Sequence, residues 1–196
     1  MPRSKPKPKV ALTPLAKSPT GIQGLDELTG GGLPTGRVSL VCGKAGSGKS
    51  LLAMEFLVHG AIMYGEPGVC MNFEETEEKL TANVASLGFD LKDLVKRKRM
   101  LIDYVFIERS QITETGEYNL DGLFVRLAHA VKTIKAKRVV LDSVQALFAG
   151  IGDSAILRSE LQRLFRWLDD NNLTAIVTGE AGIDTLTRHG LGRIHR

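Results

Sequence analysis

The chain has 196 residues, of which 43% are hydrophobic and 24% are charged, and its formal net charge is +4 at pH 7. This length is typical of one domain with a substantial core, and no run approaches the roughly 18 apolar residues of a membrane span. Both cysteines, Cys42 and Cys70, fall in apolar strand-like runs, which predicts buried thiols rather than a disulfide framework or metal site. These features favour a globular protein of the reducing cytoplasm.

Residues 1–19 combine five basic residues with five prolines and contain no acidic residue. This composition predicts a disordered, basic, proline-rich tail, with the ordered domain covering 20–196. Contact of the tail with nucleic acid or a membrane is the alternative to a solvated tail, because Lys and Arg attract phosphates. The three consecutive glycines at 30–32 predict close backbone packing or unusual dihedral angles.

A phosphate-binding pattern, G-x-x-x-x-G-K-[ST], is matched by GKAGSGKS at 43–50. The first predicted strand, an apolar run at 37–42, precedes it, and a helical run at 51–62 follows it. This is the context that the pattern requires. Lys49 would reach the β- and γ-phosphates, and the Ser50 hydroxyl would hold Mg²⁺. A glycine-rich turn without a ligand is the alternative. The predicted nucleotide-binding residues are Gly43, Lys44, Ala45, Gly46, Ser47, Gly48, Lys49, Ser50 and Leu51.

Helices alternate with further strands along the rest of the chain. The predicted strands cover 69–73, 100–107, 138–142 and 173–178, and the predicted helices cover 76–87, 90–98, 119–134 and 154–171. Apolar strands in alternation with helices indicate an α/β fold, with a mostly parallel sheet covered by helices on both faces. Right-handed crossovers would place the carboxyl ends of the strands at one edge, where ligands bind.

Two adjacent acids, Glu74 and Glu75, follow the second predicted strand. At a strand end, one carboxylate can face the γ-phosphate and accept a hydrogen bond from the attacking water, while the other orients it or supports the loop. We predict that this pair is catalytic. The alternative is a solvated acidic patch that continues into Glu77 and Glu78.

Asp142 ends the fourth predicted strand. Phosphate-loop NTPases keep at this position the acid that holds Mg²⁺ through water. We therefore predict a metal site formed by Ser50 and Asp142. An ordinary helix-cap or turn aspartate is the alternative, since Ser143 follows directly.

An ordered series of motifs resembles the KaiC branch of the RecA-like ATPases. The motifs are T-G-I-x-G-L-D at 20–26, G-G-L-P-x-G-R at 31–37, the phosphate loop, F-E-E-T at 73–76 and V-L-D-S-V at 140–144. The resemblance implies a RecA-like core, ATP and Mg²⁺ as cofactors, and hexameric rings with nucleotide between neighbouring subunits. It also places the family's catalytic glutamates on Glu74 and Glu75 and its metal-binding aspartate on Asp142.

The resemblance also implies features that have no counterpart in this sequence. A KaiC domain continues past the position of Arg196 into strands that help to hold the base and supply basic residues to the neighbour's ATP. We therefore expect a C-terminally truncated domain without an assigned arginine or lysine finger. The self-phosphorylated residues of the family would fall near the end of this chain, where nothing matches, so autokinase activity is not expected.

The function predicted from these features is Mg-dependent ATP binding and slow hydrolysis, with the nucleotide state controlling oligomer assembly or partner binding. Hydrolysis is expected to be slow because no arginine or lysine finger is assigned, and an effective finger contributes roughly 10³–10⁵ in rate. The alternatives are a nucleotide-binding interaction protein with little hydrolysis and a RecA-like DNA-binding ATPase. The latter is less favoured because the stretch 147–153, which follows the fourth strand, is short and has no basic residue.

Overall fold

A computed structural model describes residues 14–105, 120–148 and 154–180 of the chain. The strands in these residues are β1 (Lys17–Ser18), β2 (Leu33–Pro34), β3 (Val38–Gly43), β4 (Gly68–Asn72), β5 (Met100–Tyr104), β6 (Arg138–Asp142) and β7 (Thr174–Glu180). The helices are α1 (Leu25–Thr29), α2 (Lys49–Met63), α3 (Glu77–Ala85), α4 (Leu91–Lys96), α5 (Asp121–Ile134), α6 (Val144–Phe148) and α7 (Ser154–Asp170). None of these helices has the length and apolar character of a membrane span.

Within the described residues, strands β3 to β7 form a sheet in the order β3-β7-β6-β4-β5, and every neighbouring pair is parallel. Strand β7 therefore separates β3, which leads into the phosphate loop, from β6, which ends in Asp142. Strands β4 and β6 are buried at every residue, as expected for a parallel sheet with both faces covered. The predicted RecA-like α/β class is confirmed.

Two apolar clusters cover the two faces of the sheet. Strand side chains alternate between the faces, so Val139 and Leu141 of β6 contact one cluster while Val140 contacts the other. The cluster around Val140 is built mainly from α2, α3 and α4. Helices α5, α6 and α7 supply half of the buried residues of the other cluster. Helices thus pack on both faces, and the sheet edges at the strand ends remain available for a site.

Some local features differ from the sequence-based predictions. Helix α6 begins two residues after β6 and was not anticipated. Cys42 is exposed, because β3 lies at the edge of the sheet, whereas Cys70 on β4 is buried as predicted. The predicted loop at 108–118 lies outside the described residues.

The amino-terminal boundary also differs from the prediction. Lys17 and Ser18 pair antiparallel with Pro34 and Leu33, and the Thr35 N–H donates to the Ala16 carbonyl at 2.9 Å, so the fold extends further toward the amino terminus than the predicted boundary at Thr20. The reason is a close backbone approach: a Cβ on Gly32 would lie 2.1 Å from the carbonyl oxygen of Ser18, and the φ of Gly32 is +115°. Residues 1–13 lie outside the described residues, so the tail prediction for them stays a prediction.

A buried arginine, Arg138, joins the amino-terminal segment to the sheet. Its side chain is fully buried, and its guanidinium donates to Glu66 (2.7 Å), to the Phe56 carbonyl (2.9 Å) and to the Pro19 carbonyl (2.9 Å). The guanidinium also lies 4.5 Å from the centroid of the Phe56 ring. A buried charge is tolerated when it is paired and hydrogen-bonded, and Arg138 meets both conditions.

Candidate active site

A cleft with a volume of ≈ 320 Å³ lies at the carboxyl edge of the sheet. Its lining consists of the phosphate loop, the start of α2 and the ends of β4, β6 and β7, with side chains or backbone from Ala45, Gly46, Ser47, Gly48, Lys49, Ser50, Leu51, Glu74, Glu75, Asp142, Ser143 and Glu180. The cleft therefore brings together the predicted acids and all the predicted nucleotide-binding residues except Gly43 and Lys44. Those two residues immediately precede Ala45 in the loop.

The phosphate loop forms a positively polarised cradle. Helix α2 begins at Lys49, directly after Gly48, whose φ of +83° lies in the left-handed region that glycine tolerates. The first N–H groups of a helix have no acceptor within the helix, and its dipole is positive at that end. The Lys49 ammonium donates to the carbonyls of Gly43 (3.1 Å) and Lys44 (3.0 Å), which holds it over the loop. Such an arrangement suits a phosphate group.

Three polar residues lie side by side on neighbouring strands below this cradle. Asn72 on β4 is in register with Asp142 on β6, and the hydroxyl of Thr178 on β7 donates to Asp142 Oδ1. All three are buried. Burial, with a smaller contribution from the Asp142 carboxylate, raises the pKa of the neighbouring Cys70 thiol far above its usual range. The thiol therefore stays neutral.

The two adjacent glutamates are held differently. The backbone N–H groups of Glu74 and Glu75 both donate to Asn72 Oδ1, each at 2.9 Å. The Glu74 carboxylate accepts from the Ser143 hydroxyl, beside Asp142, whereas Glu75 accepts from Asn83 Nδ2 on α3 at 3.1 Å. Glu74 is thus tied to the strand that carries Asp142, and Glu75 is tied to a surface helix.

The Ser50 hydroxyl and the Asp142 carboxylate, which are predicted to hold a cation, both line the cleft. Further side-chain oxygens in the lining belong to Ser47, Glu74, Glu75, Ser143 and Glu180. Mg²⁺ prefers oxygen ligands and is usually held by one or two carboxylates together with waters and phosphates. In the part of the chain that the structure describes, no group of three or more His, Cys, Asp or Glu side chains forms a metal cluster. The donor set fits Mg²⁺ that is shared with a phosphate.

Among the described residues, four side chains that hydrogen-bond to the predicted acids were not predicted from the sequence: Asn72, Asn83, Ser143 and Thr178. One signal was present for two of them, because Asn72 and Thr178 are polar residues at the carboxyl ends of apolar strands. Their partners, however, depend on the strand order, which places β4 and β7 on either side of β6.

Comparison with known proteins identifies the family. The family model described as "ATPase: KaiC" matches residues 18–194. The chain belongs to the KaiC ATPase family. It is 54% identical over 177 residues to the circadian clock protein KaiC2 of Synechocystis sp., an alignment that covers 90% of this chain and 31% of that protein.

Other KaiC proteins show the same relation. The KaiC3 protein of the same organism is 41% identical over 171 residues, which cover 85% of this chain and 33% of that protein. The circadian clock oscillator protein KaiC of Parathermosynechococcus lividus is 38% identical over 169 residues, 86% of this chain and 31% of its own length. The chain therefore spans about a third of the length of these KaiC relatives, and it corresponds to one KaiC-type ATPase domain.

Proposed function

We propose that this KaiC domain binds ATP with Mg²⁺ in the cleft and hydrolyses it slowly, and that the nucleotide state controls assembly with further copies or the binding of a protein partner. The observation that carries the proposal is the single cleft that contains the phosphate loop, Asp142 and both glutamates. Family membership supports ATPase activity in general. A reducing cytoplasm remains our proposal for its location.

Binding of the triphosphate would rest on the loop and the start of α2. The backbone N–H groups of residues 43–51 would surround the phosphates, and Lys49 would exchange its two loop carbonyls for phosphate oxygens. Exchange of this kind is favourable because an ammonium bonds an anionic oxygen more strongly than a neutral carbonyl. Ser50 and Asp142 would hold Mg²⁺, which neutralises phosphate charge when it is bound.

The two glutamates would serve the attacking water. Each carboxylate can accept a hydrogen bond from water and so orient it for in-line attack. Glu74 is the one tied to Ser143, next to Asp142, which favours it for the contact nearest the metal site. Glu75, held by Asn83, would then orient the water or support the loop.

We retain hydrolysis rather than self-phosphorylation or DNA binding as the proposed activity. The prediction against autokinase activity concerns residues within 181–196, which lie outside the described residues. The basic residues available for DNA after the last strand, Arg188, Arg193 and Arg196, lie in the same stretch. The predictions against autokinase activity and against DNA binding therefore stay predictions from sequence.

The double variant Glu74→Gln with Glu75→Gln tests the proposal. An amide cannot take a proton from water as a carboxylate does, so ATP turnover should fall by about 10²-fold or more. Binding of a fluorescent ATP analogue with Mg²⁺ should remain, because neither side chain is part of the phosphate loop. The measurements are phosphate release and nucleotide titration of the same protein samples.

The matched control is Glu77→Gln with Glu78→Gln, which makes the same charge change on exposed acids at the start of α3. Turnover should be retained in this control. Equal turnover in the Glu74/Glu75 variant and the unmodified chain would remove the catalytic role of the pair. Failure of the unmodified chain to bind Mg-ATP would overturn the proposed function as a whole.

A further inference from the structure

The Asn72 side chain is buried at the end of β4, with 1% of its surface exposed. Its Oδ1 accepts hydrogen bonds from two consecutive backbone N–H groups, those of Glu74 and Glu75. We propose that Asn72 is a positioning residue that sets both glutamates relative to Asp142. This inference rests on the proposed function, since it assigns Asn72 to the hydrolysis step.

The first argument concerns the turn that leaves β4. A side-chain oxygen that accepts from the amides two and three residues ahead closes a tight turn and fixes the direction of the chain. Because the Asn72 side chain is buried, water competes little for these hydrogen bonds. The direction in which Glu74 and Glu75 leave the strand is therefore determined by one side-chain oxygen.

The second argument concerns the link to Asp142. Asn72 is in register with Asp142, the Phe73 N–H donates to the Asp142 carbonyl at 2.8 Å, and the Ser143 hydroxyl donates to the Glu74 carboxylate. These contacts attach the turn to β6 rather than to the solvent-facing part of the loop. A displacement of the turn would therefore change the distance between the glutamates and the proposed metal site.

The third argument concerns the choice of asparagine. With both backbone N–H groups donating to one end of the amide, that end must be the oxygen, and the network fixes the orientation. An aspartate could accept the same hydrogen bonds, but it would add a second carboxylate beside Asp142, and like charges that lie close together disfavour ionisation. Asn72 Nδ2 is buried and has no acceptor within the described residues, so the oxygen makes the contacts that hold this side chain.

The test compares Asn72→Leu, Asn72→Ser and a matched control, Thr174→Val. Leucine resembles asparagine in shape but has no acceptor, so kcat should fall about 10²-fold, as a small misplacement of a catalytic group can cause, while the Kd for Mg-ATP stays unchanged. Serine can close such a turn more weakly, so it should restore part of kcat. Thr174 Oγ1 accepts the Gly36 N–H at 3.0 Å at the opposite sheet edge, so its loss should leave kcat unchanged.

Amide hydrogen exchange provides a second readout that does not need turnover. In Asn72→Leu, the Glu74 and Glu75 amides should exchange faster than in the unmodified chain, and in Thr174→Val they should not. Unchanged kcat in Asn72→Leu, or a serine variant that is no better than the leucine variant, would overturn the positioning role. If the unmodified chain does not hydrolyse ATP, the proposed function fails, and unchanged exchange of the two amides then overturns the positioning role separately.

Discussion

Asp26 shows how a single carboxylate organises the segment before β3. Its Oδ1 accepts from the backbone N–H (2.8 Å) and the hydroxyl (2.7 Å) of Thr20, and its Oδ2 accepts from the Gly21 N–H at 2.9 Å. Partial burial alone would raise the pKa of Asp26, but these hydrogen bonds and the charge of Arg138 outweigh it and lower the pKa. The T-G-I-x-G-L-D motif therefore describes a closed turn held by its last residue.

The lowered pKa predicts how Asp26→Asn responds to pH. A carboxyl whose pKa is lower in the folded state stabilises the fold at pH values above its unfolded pKa, and it loses this effect as the pH falls through the folded value. Near neutral pH the variant should be less stable by about 1–2 kcal/mol. The difference should shrink as the pH falls below the ordinary value of 3.8. Urea unfolding at several pH values measures it.

Glu27→Gln is the control for this prediction, because Glu27 is the exposed neighbour of Asp26 on α1. It should change stability little at any pH. A stability difference for Asp26→Asn that is constant from neutral to acidic pH would show that the charge of the carboxylate does not matter.

The residues of the candidate site were predictable to different degrees. The phosphate loop, the Glu74–Glu75 pair and Asp142 carry a local pattern, because their chemistry requires particular residue types next to a strand. Asn72 carries only the weaker signal of a polar residue at the end of an apolar strand, and Ser143 is marked only by its place directly after Asp142. Their importance arises from contacts between β4 and β6, which are separated by more than sixty residues in the sequence.

At the scale of elements, the strands of the parallel sheet were predicted to within about three residues, since each is an apolar run that must be buried. The prediction for β6, 138–142, coincides with the strand in the structure. Strands β1 and β2 are only two residues long, too short for any periodicity. Helix α6 was missed for a similar reason, because its five residues are too few to show a helical period.

The β1–β2 pair provides a prediction at this scale. Gly32→Ala should lower the free energy of unfolding by about 1–3 kcal/mol, because the added Cβ has no space beside the Ser18 backbone. Gly30→Ala is the matched control: Gly30 also has a positive φ, +66°, but a Cβ there meets nothing within 4 Å. Gly30→Ala should lower the free energy of unfolding by less than Gly32→Ala does. Denaturant unfolding compares the two variants, and equal losses would show that dihedral strain alone makes glycine necessary.

At the scale of the whole molecule, the two ends of the parallel sheet carry different groups of residues. The candidate site lies at the carboxyl ends of the strands, whereas Arg138 and its partners lie at the opposite end, where β6 begins. The apolar core of the sheet lies between these two regions and separates the candidate site from the contacts of the amino-terminal segment. The overall class was predictable because apolar strands that alternate with helices indicate a parallel sheet, and right-handed crossovers place the carboxyl ends of its strands at one edge.

Assembly is the prediction that belongs to this scale. If the nucleotide state controls assembly, light scattering should show a step from monomer to hexamer when Mg-ATP is added. Lys49→Ala, which removes the ammonium from the loop, should show a smaller step at the same ATP concentration because ATP binds less well. A monomer with and without Mg-ATP would contradict the assembly part of the proposed function and leave ATP binding to be judged by titration.

The contacts of Arg138 also determine where the polypeptide can be shortened. The motif-based boundary at Thr20 suggests that a protein starting there would be complete, but such a protein would lack the Pro19 carbonyl that accepts from Arg138 Nη2 and the strand that pairs with Leu33. A guanidinium N–H would then be buried without an acceptor, which is more costly than the loss of a surface contact. Shortened proteins for crystallisation or binding work should therefore retain the chain from Ala16 onward, since the Ala16 carbonyl accepts from the Thr35 N–H.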